Sequence, residues 1–81
     1  MLEELQHEKI IIGLKQVSRS IREGDQILKI YLAQDADNNI LEKINTLAKQ
    51  HSIEIIPVDS RKKLGRNCGI DVGATVVAVQ K

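Results

Sequence analysis

Lys9-Ile10-Ile11-Ile12-Gly13-Leu14-Lys15-Gln16-Val17-Ser18-Arg19-Ser20-Ile21-Arg22-Glu23-Gly24 is the stretch that decides the fold class. Lys9 to Ile12 is a brief apolar run that reads as a strand and stops at Gly13. Beyond it Leu14, Val17 and Ile21 recur at i, i+3 and i+7, one apolar stripe of a helix. Gly24 ends that helix, because glycine takes the left-handed conformation of a C-terminal cap without steric cost. A strand turning into a helix across one glycine is the opening unit of a layered α/β domain.

The same alternation continues along the chain. Ile27 to Ala33 reads as a second strand, and Asp37 stands as the N-cap of a second helix. In that helix Ile40, Leu41, Ile44, Leu47 and Ala48 form one face that runs to about Gln50. Ile53 to Ile56 is a β-branched strand that Pro57 is expected to end. A short helix follows from Ser60 to Arg66, then a glycine-punctuated stretch, then a last strand from Ala74 to Val79. Leu2 to His7 reads as a short helix at the start. The expectation is one domain over residues 1–81: a three-layer α/β/α sandwich around a mixed sheet of about four strands. The strands are almost wholly apolar, as they are when both faces of a sheet are covered.

Composition narrows the function classes. The chain has 81 residues, 42% of them hydrophobic, with Tyr31 its single aromatic and neither Phe nor Trp. That excludes an aromatic-lined ligand cavity. It also excludes the single-strand RNA modules that stack bases on exposed rings. Net charge is only +1, so no bulk attraction to polyanions is expected. The distribution is more informative. Two windows free of acidic residues, 13–22 and 60–69, hold Lys15, Arg19, Arg22, Arg61, Lys62, Lys63 and Arg66, seven of the twelve basic residues. Such windows arise equally as two solvated helix faces or as an anion-binding surface.

Catalytic and metal chemistry find little support. Cys68 is the lone cysteine, with His7 and His51 far from it in sequence, and no spacing resembles a metal site. The thiol reads as a small buried residue before a glycine turn, and it agrees with a reducing cytoplasm. Gly65, Gly69 and Gly73 match neither a dinucleotide fingerprint nor a phosphate loop. Asp35 and Asp37 read as turn and cap as readily as an acid–base pair. No segment is long and apolar enough to span a membrane. The expectation is a cytoplasmic, non-enzymatic protein without cofactor or metal.

RNA is the stronger lead, through shape, phosphates and polar base edges. At the Gly13 turn, glycine lets backbone approach backbone and the helix start offers N–H groups to a phosphate. Lys15, Arg19 and Arg22 lie opposite the apolar stripe, with Gln16 beside them as a neutral donor and acceptor. Gly69-Ile70-Asp71-Val72-Gly73 sets two β-branched residues between glycines. They either plug the edge of a small core or offer an apolar surface to an unstacked base.

These residues carry a family resemblance. Ile11-Ile12-Gly13-Leu14-Lys15-Gln16, the Asp35-Ala36-Asp37 turn and Lys63-Leu64-Gly65-Arg66-Asn67-Cys68-Gly69-Ile70-Asp71-Val72-Gly73-Ala74 are similar to the kink-turn-binding ribosomal-protein superfamily (L-seven-Ae / L-thirty-e), in its small bacterial YbxF-like form. The resemblance covers nearly the whole chain. It implies an α/β/α sandwich that binds RNA bent sharply at a short bulge beside tandem G·A pairs. By that correspondence Gly13, Leu14, Lys15 and Gln16 form the turn at the guanine edges, with Arg19 and Arg22 on nearby oxygens. Gly69, Ile70, Asp71 and Val72 cover a flipped-out nucleotide, Asp35 lies in the site, and Arg61, Lys62 and Lys63 approach the backbone. Many relatives carry Asn-Glu where Lys15-Gln16 stands here, so weaker and more salt-dependent binding is expected. The implied partner is structured RNA bound by a monomer, ribosomal or ribosome-associated. The alternative is a protein-interaction module or accessory domain that uses the fold without specific RNA binding.

Overall fold

The computed structural model describes residues 9–69 and 73–80, so the helix expected at the start and residues 70–72 lie outside the described residues. The described chain runs β1 (Ile10–Ile12), α1 (Leu14–Arg22), β2 (Ile27–Ala33), α2 (Asn38–Gln50), β3 (Glu54–Val58), α3 (Arg61–Asn67) and β4 (Val76–Gln80). The sheet order is β1-β4-β2-β3. β4 is antiparallel to both β1 and β2, whereas β2 and β3 are parallel, so the sheet is mixed.

The alternation of side chains along the central strands divides the core in two. On one face Ile30, Leu32, Val76 and Ala78 meet Val17 and Ile21 of α1 and Ile44 and Ala48 of α2. On the other, Tyr31, Ala33, Val77 and Val79 meet Leu64 of α3. Helices therefore cover both faces, and the domain is the expected three-layer α/β/α sandwich. Tyr31, the only aromatic side chain, is 0% exposed.

Several boundaries differ from the sequence expectation, each for a local reason. Pro57 sits inside β3, paired with Leu32, and does not end the strand. β3 is an edge strand, and Gln34 N–H donates to the Val58 carbonyl, so the alternating backbone turns Pro57 toward the open side. There its missing donor costs no ladder bond, and it blunts the edge against pairing with another chain. Ile53 stays out of β3 because its N–H is used to close α2, donating to the Ala48 carbonyl at 2.8 Å. Ala74 stays out of β4 because its N–H donates to the Arg61 carbonyl at 3.0 Å. Asp37 does occupy the N-cap position of α2, but its side chain makes no capping hydrogen bond. Ser60 caps α3 and is not its first residue; its hydroxyl accepts from Lys63 N–H at 3.1 Å.

Candidate nucleic-acid interface

The strand directions decide which loops meet. With β1 and β2 antiparallel to β4, and β3 parallel to β2, the carboxyl ends of β1, β2 and β3 share one edge with the amino end of β4. Hydrogen bonds knit that edge together. Gly13 N–H donates to the Val76 carbonyl at 2.9 Å, Ala33 N–H to Thr75 at 2.9 Å, and Gln34 N–H to Val58 at 2.8 Å. The start of α1, the turn after β2, the start of α3 and the approach to β4 therefore lie at the same end of the sheet. Ligands of open α/β sheets bind outside the carboxyl ends of strands for this reason.

Gly13 makes the tightest turn at this end. Its φ of 105° and ψ of 148° lie in a region that side chains other than glycine's scarcely enter. The turn lets one residue serve strand and helix: its N–H closes the β1–β4 ladder and its carbonyl accepts from Val17. The N–H groups of Leu14, Lys15 and Gln16 have no hydrogen-bond acceptor among the described residues. Lys15 and Gln16 are exposed beside them. The Gln16 side chain folds back over Gly13; a Cβ at Gly13 would lie 2.7 Å from Gln16 Oε1. Its carboxamide therefore lies at the helix start, beside the open amides.

Lys15, Arg19 and Arg22 do share a face of α1, within about 60° at roughly 100° per residue. They do not share a site. Arg22 is displaced from Leu14 by about 12 Å along the axis at ~1.5 Å per residue. It lines a recess at the opposite end of the sheet with Gly24, His51 and Ser52, and its Nε donates to the Ser18 carbonyl at 3.3 Å. Arg19 lies between, its Nε 3.3 Å from Glu23, an exposed pair that screening weakens.

The second basic window meets the first end. Arg61, Lys62, Asp35, Gly73 and Thr75 line a recess of about 390 Å³, and Lys62, Lys63, Arg66 and Ser60 line a neighbouring one of about 300 Å³. Lys63 stands 3.6 Å from Asp59, and Arg61 is held by Asp35. Lys15, Lys62 and Arg66 have no acidic partner among the described residues. Gly69 follows α3 with φ 78°, and Gly73 lies against the Arg61 backbone. Ile70, Asp71 and Val72 fall outside the described residues.

Sequence reasoning did not single out Thr75 or Ser60. Thr75 gives no signal, since its position depends on pairing with β2, whereas Ser60 reads as the first residue of the helix that it caps. Cys68 is half-buried against the α3 face of the core, and burial pushes its thiol up from the ordinary 9.0, which disfavours the nucleophilic thiolate. No three His, Cys, Asp or Glu side chains gather into a possible metal site among the described residues. None of the described helices is long and apolar enough to cross a membrane.

Comparison with known proteins agrees with this architecture. An RNA-binding protein called YbxF from Geobacillus stearothermophilus is 44% identical over 75 residues, covering 93% of this chain and 90% of the relative. An RNA-binding protein of Geobacillus sp. (strain WCH70) is 43% identical over the same shares. A solved structure of a Bacillus halodurans protein of unknown function superimposes with a TM-score of 0.87 at 24% identity, over 99% of this chain and 83% of the other, a likeness of fold. The family described as "Ribosomal protein L7Ae/L30e/S12e/Gadd45 family" matches residues 2–81, and the chain belongs to that family.

Proposed function

We propose that this protein binds structured RNA and favours the sharply bent form of a kink-turn. The observation that carries the reading is the start of α1. Three backbone N–H groups without acceptors and a lysine without an acidic partner among the described residues, with a carboxamide folded over Gly13, stand at the same end of the sheet as the start of α3, which carries Lys62 and Arg66. Oriented amides at a helix start favour an anion, and the side chains beside them supply charge and base-edge chemistry.

Each residue has a task in this reading. Lys15 donates to guanine O6 and N7 or to a phosphate. The Gln16 carbonyl accepts from a guanine N–H, as a neutral and therefore weaker acceptor than a carboxylate. Lys62 and Arg66 neutralise phosphates on the adjoining helix. Ile70 and Val72 cover the extruded nucleotide, as the family resemblance implies. Tyr31 takes no part, because a fully buried ring offers no stacking platform. The protein reads a bent shape and its groove edges.

The mechanism is a shift of population. An RNA that exchanges between open and bent forms is drawn to the bent form by a protein that contacts only that form. The RNA reading also agrees with the names of the relatives, which are RNA-binding proteins. The test is a fluorescence energy-transfer titration on a kink-turn duplex labelled at both ends, beside a duplex whose G·A pairs are replaced. Transfer rises with the first alone. An equal response from both duplexes would reduce the interaction to charge attraction and remove the kink-turn claim.

A further inference from the structure

Asp35 presents a puzzle in a surface meant for phosphates, since it places a negative charge there. Its hydrogen bonds show what it does. Asp35 Oδ1 accepts from the Arg61 backbone N–H at 2.9 Å, across 26 residues of sequence, and lies 3.6 Å from Arg61 Nε. Arg61 in turn accepts at its carbonyl from Ala74 N–H at 3.0 Å. Gly73 packs so closely that a Cβ there would sit 3.2 Å from Arg61 Cβ and 3.4 Å from its carbonyl carbon. Arg61 is thus the common anchor of three segments: the turn after β2, the start of α3 and the approach to β4.

We propose that Asp35 is a positioning residue for RNA binding. It fixes the Arg61 backbone, and through it the start of α3 and the Gly73–Thr75 approach, so that Lys62 and Arg66 are presented in one geometry. The side-chain ion pair is half-exposed, 58% for arginine and 44% for aspartate, and contributes little in water. The backbone bond is the effective part. It is charge-assisted, and it gives a carboxylate acceptor to an N–H that no helical carbonyl could accept. The role rests on the RNA reading above, but the clamp itself belongs to the free protein.

Three substitutions separate position from charge. Were Asp35 only a negative charge near phosphates, Asp35→Ala and Asp35→Asn would both tighten binding to kink-turn RNA, and Asp35→Glu would leave it unchanged. Positioning gives the opposite pattern. Asp35→Ala weakens binding about tenfold, the scale of a lost charge-assisted hydrogen bond. Asp35→Asn stays within about twofold, because its amide oxygen still accepts from Arg61 N–H. Asp35→Glu weakens binding severalfold, because the added methylene moves the acceptor. In the free protein, hydrogen exchange at the Ala74 amide accelerates in Asp35→Ala and holds in Asp35→Asn. Unchanged Ala74 exchange, or Asp35→Ala binding as tightly as the parent, overturns the proposal. If the parent protein fails to distinguish a kink-turn from its control, the RNA reading falls while the exchange measurement still decides the clamp.

Discussion

Where α1 and α2 finish, the chain closes its own hydrogen bonds; where α1 begins, it leaves donors open to solvent. At the first end Gly24 and Asp25 return their N–H groups to Ile21 and Ser20, both at 3.1 Å, and the Ser20 hydroxyl donates to Asp25 at 2.6 Å. Ser52 and Ile53 do the same for α2, donating to Lys49 and Ala48. At the other end the first three amides of α1 have no acceptor among the described residues. Recess size does not distinguish the two: about 440 Å³ at the closed end and about 390 Å³ at the open one. Nor does the bare presence of an arginine, since Arg22 lines the closed end. Open donors do, because a helix start leaves its first N–H groups to water or to an anion.

Charge reversal on one helix is the strongest way to break that contrast. Lys15→Glu, at the open end, is expected to weaken kink-turn binding about a hundredfold, since like charge against phosphate costs several kcal/mol. Arg22→Glu, on the same face at the closed end, should change it by no more than about threefold. Comparable losses in a binding titration would erase the distinction between the ends.

Gly13→Ala is next. Forcing a side chain into this backbone region costs about 1–3 kcal/mol of stability, and the new methyl displaces the Gln16 carboxamide. Denaturant unfolding should show the loss, and RNA affinity should fall with it at temperatures where the variant stays folded. Lys62→Ala and Arg66→Ala are gentler. Each should lower the slope of log affinity against log salt by about 1, with the melting temperature nearly unchanged. Ser52→Gly sharpens the contrast from the closed side. Ser52 holds φ 55°, where glycine is unstrained, so the variant should gain about 0.5–1 kcal/mol and bind RNA as the parent does.

The sequence disclosed the open end unevenly. Gly13 and the basic side chains after it were legible because a strand-to-helix turn is local, with donors and charge within four residues. Arg22 looked equivalent to Lys15 because a helical face shows angular spacing and hides axial distance. The task of Asp35 was hidden for a different reason: its partner is Arg61, a contact that the β2–β3 pairing creates. The fold was clearer than the site. Apolar stripes at Leu14, Val17 and Ile21 and at Ile40, Ile44 and Ala48 declare their helices wherever the chain goes next. Pro57 shows the limit, since whether proline ends a strand depends on whether that strand is an edge.

Backbone amide resonances followed through a titration with kink-turn RNA test the central claim most directly. The account predicts the largest shifts at residues 13–16, 60–66 and 73–75, with residues 22–27 and 51–53 nearly still. Shifts centred on the recess formed by Gly24, His51 and Ser52 would contradict it and move the RNA face to the closed end of the sheet.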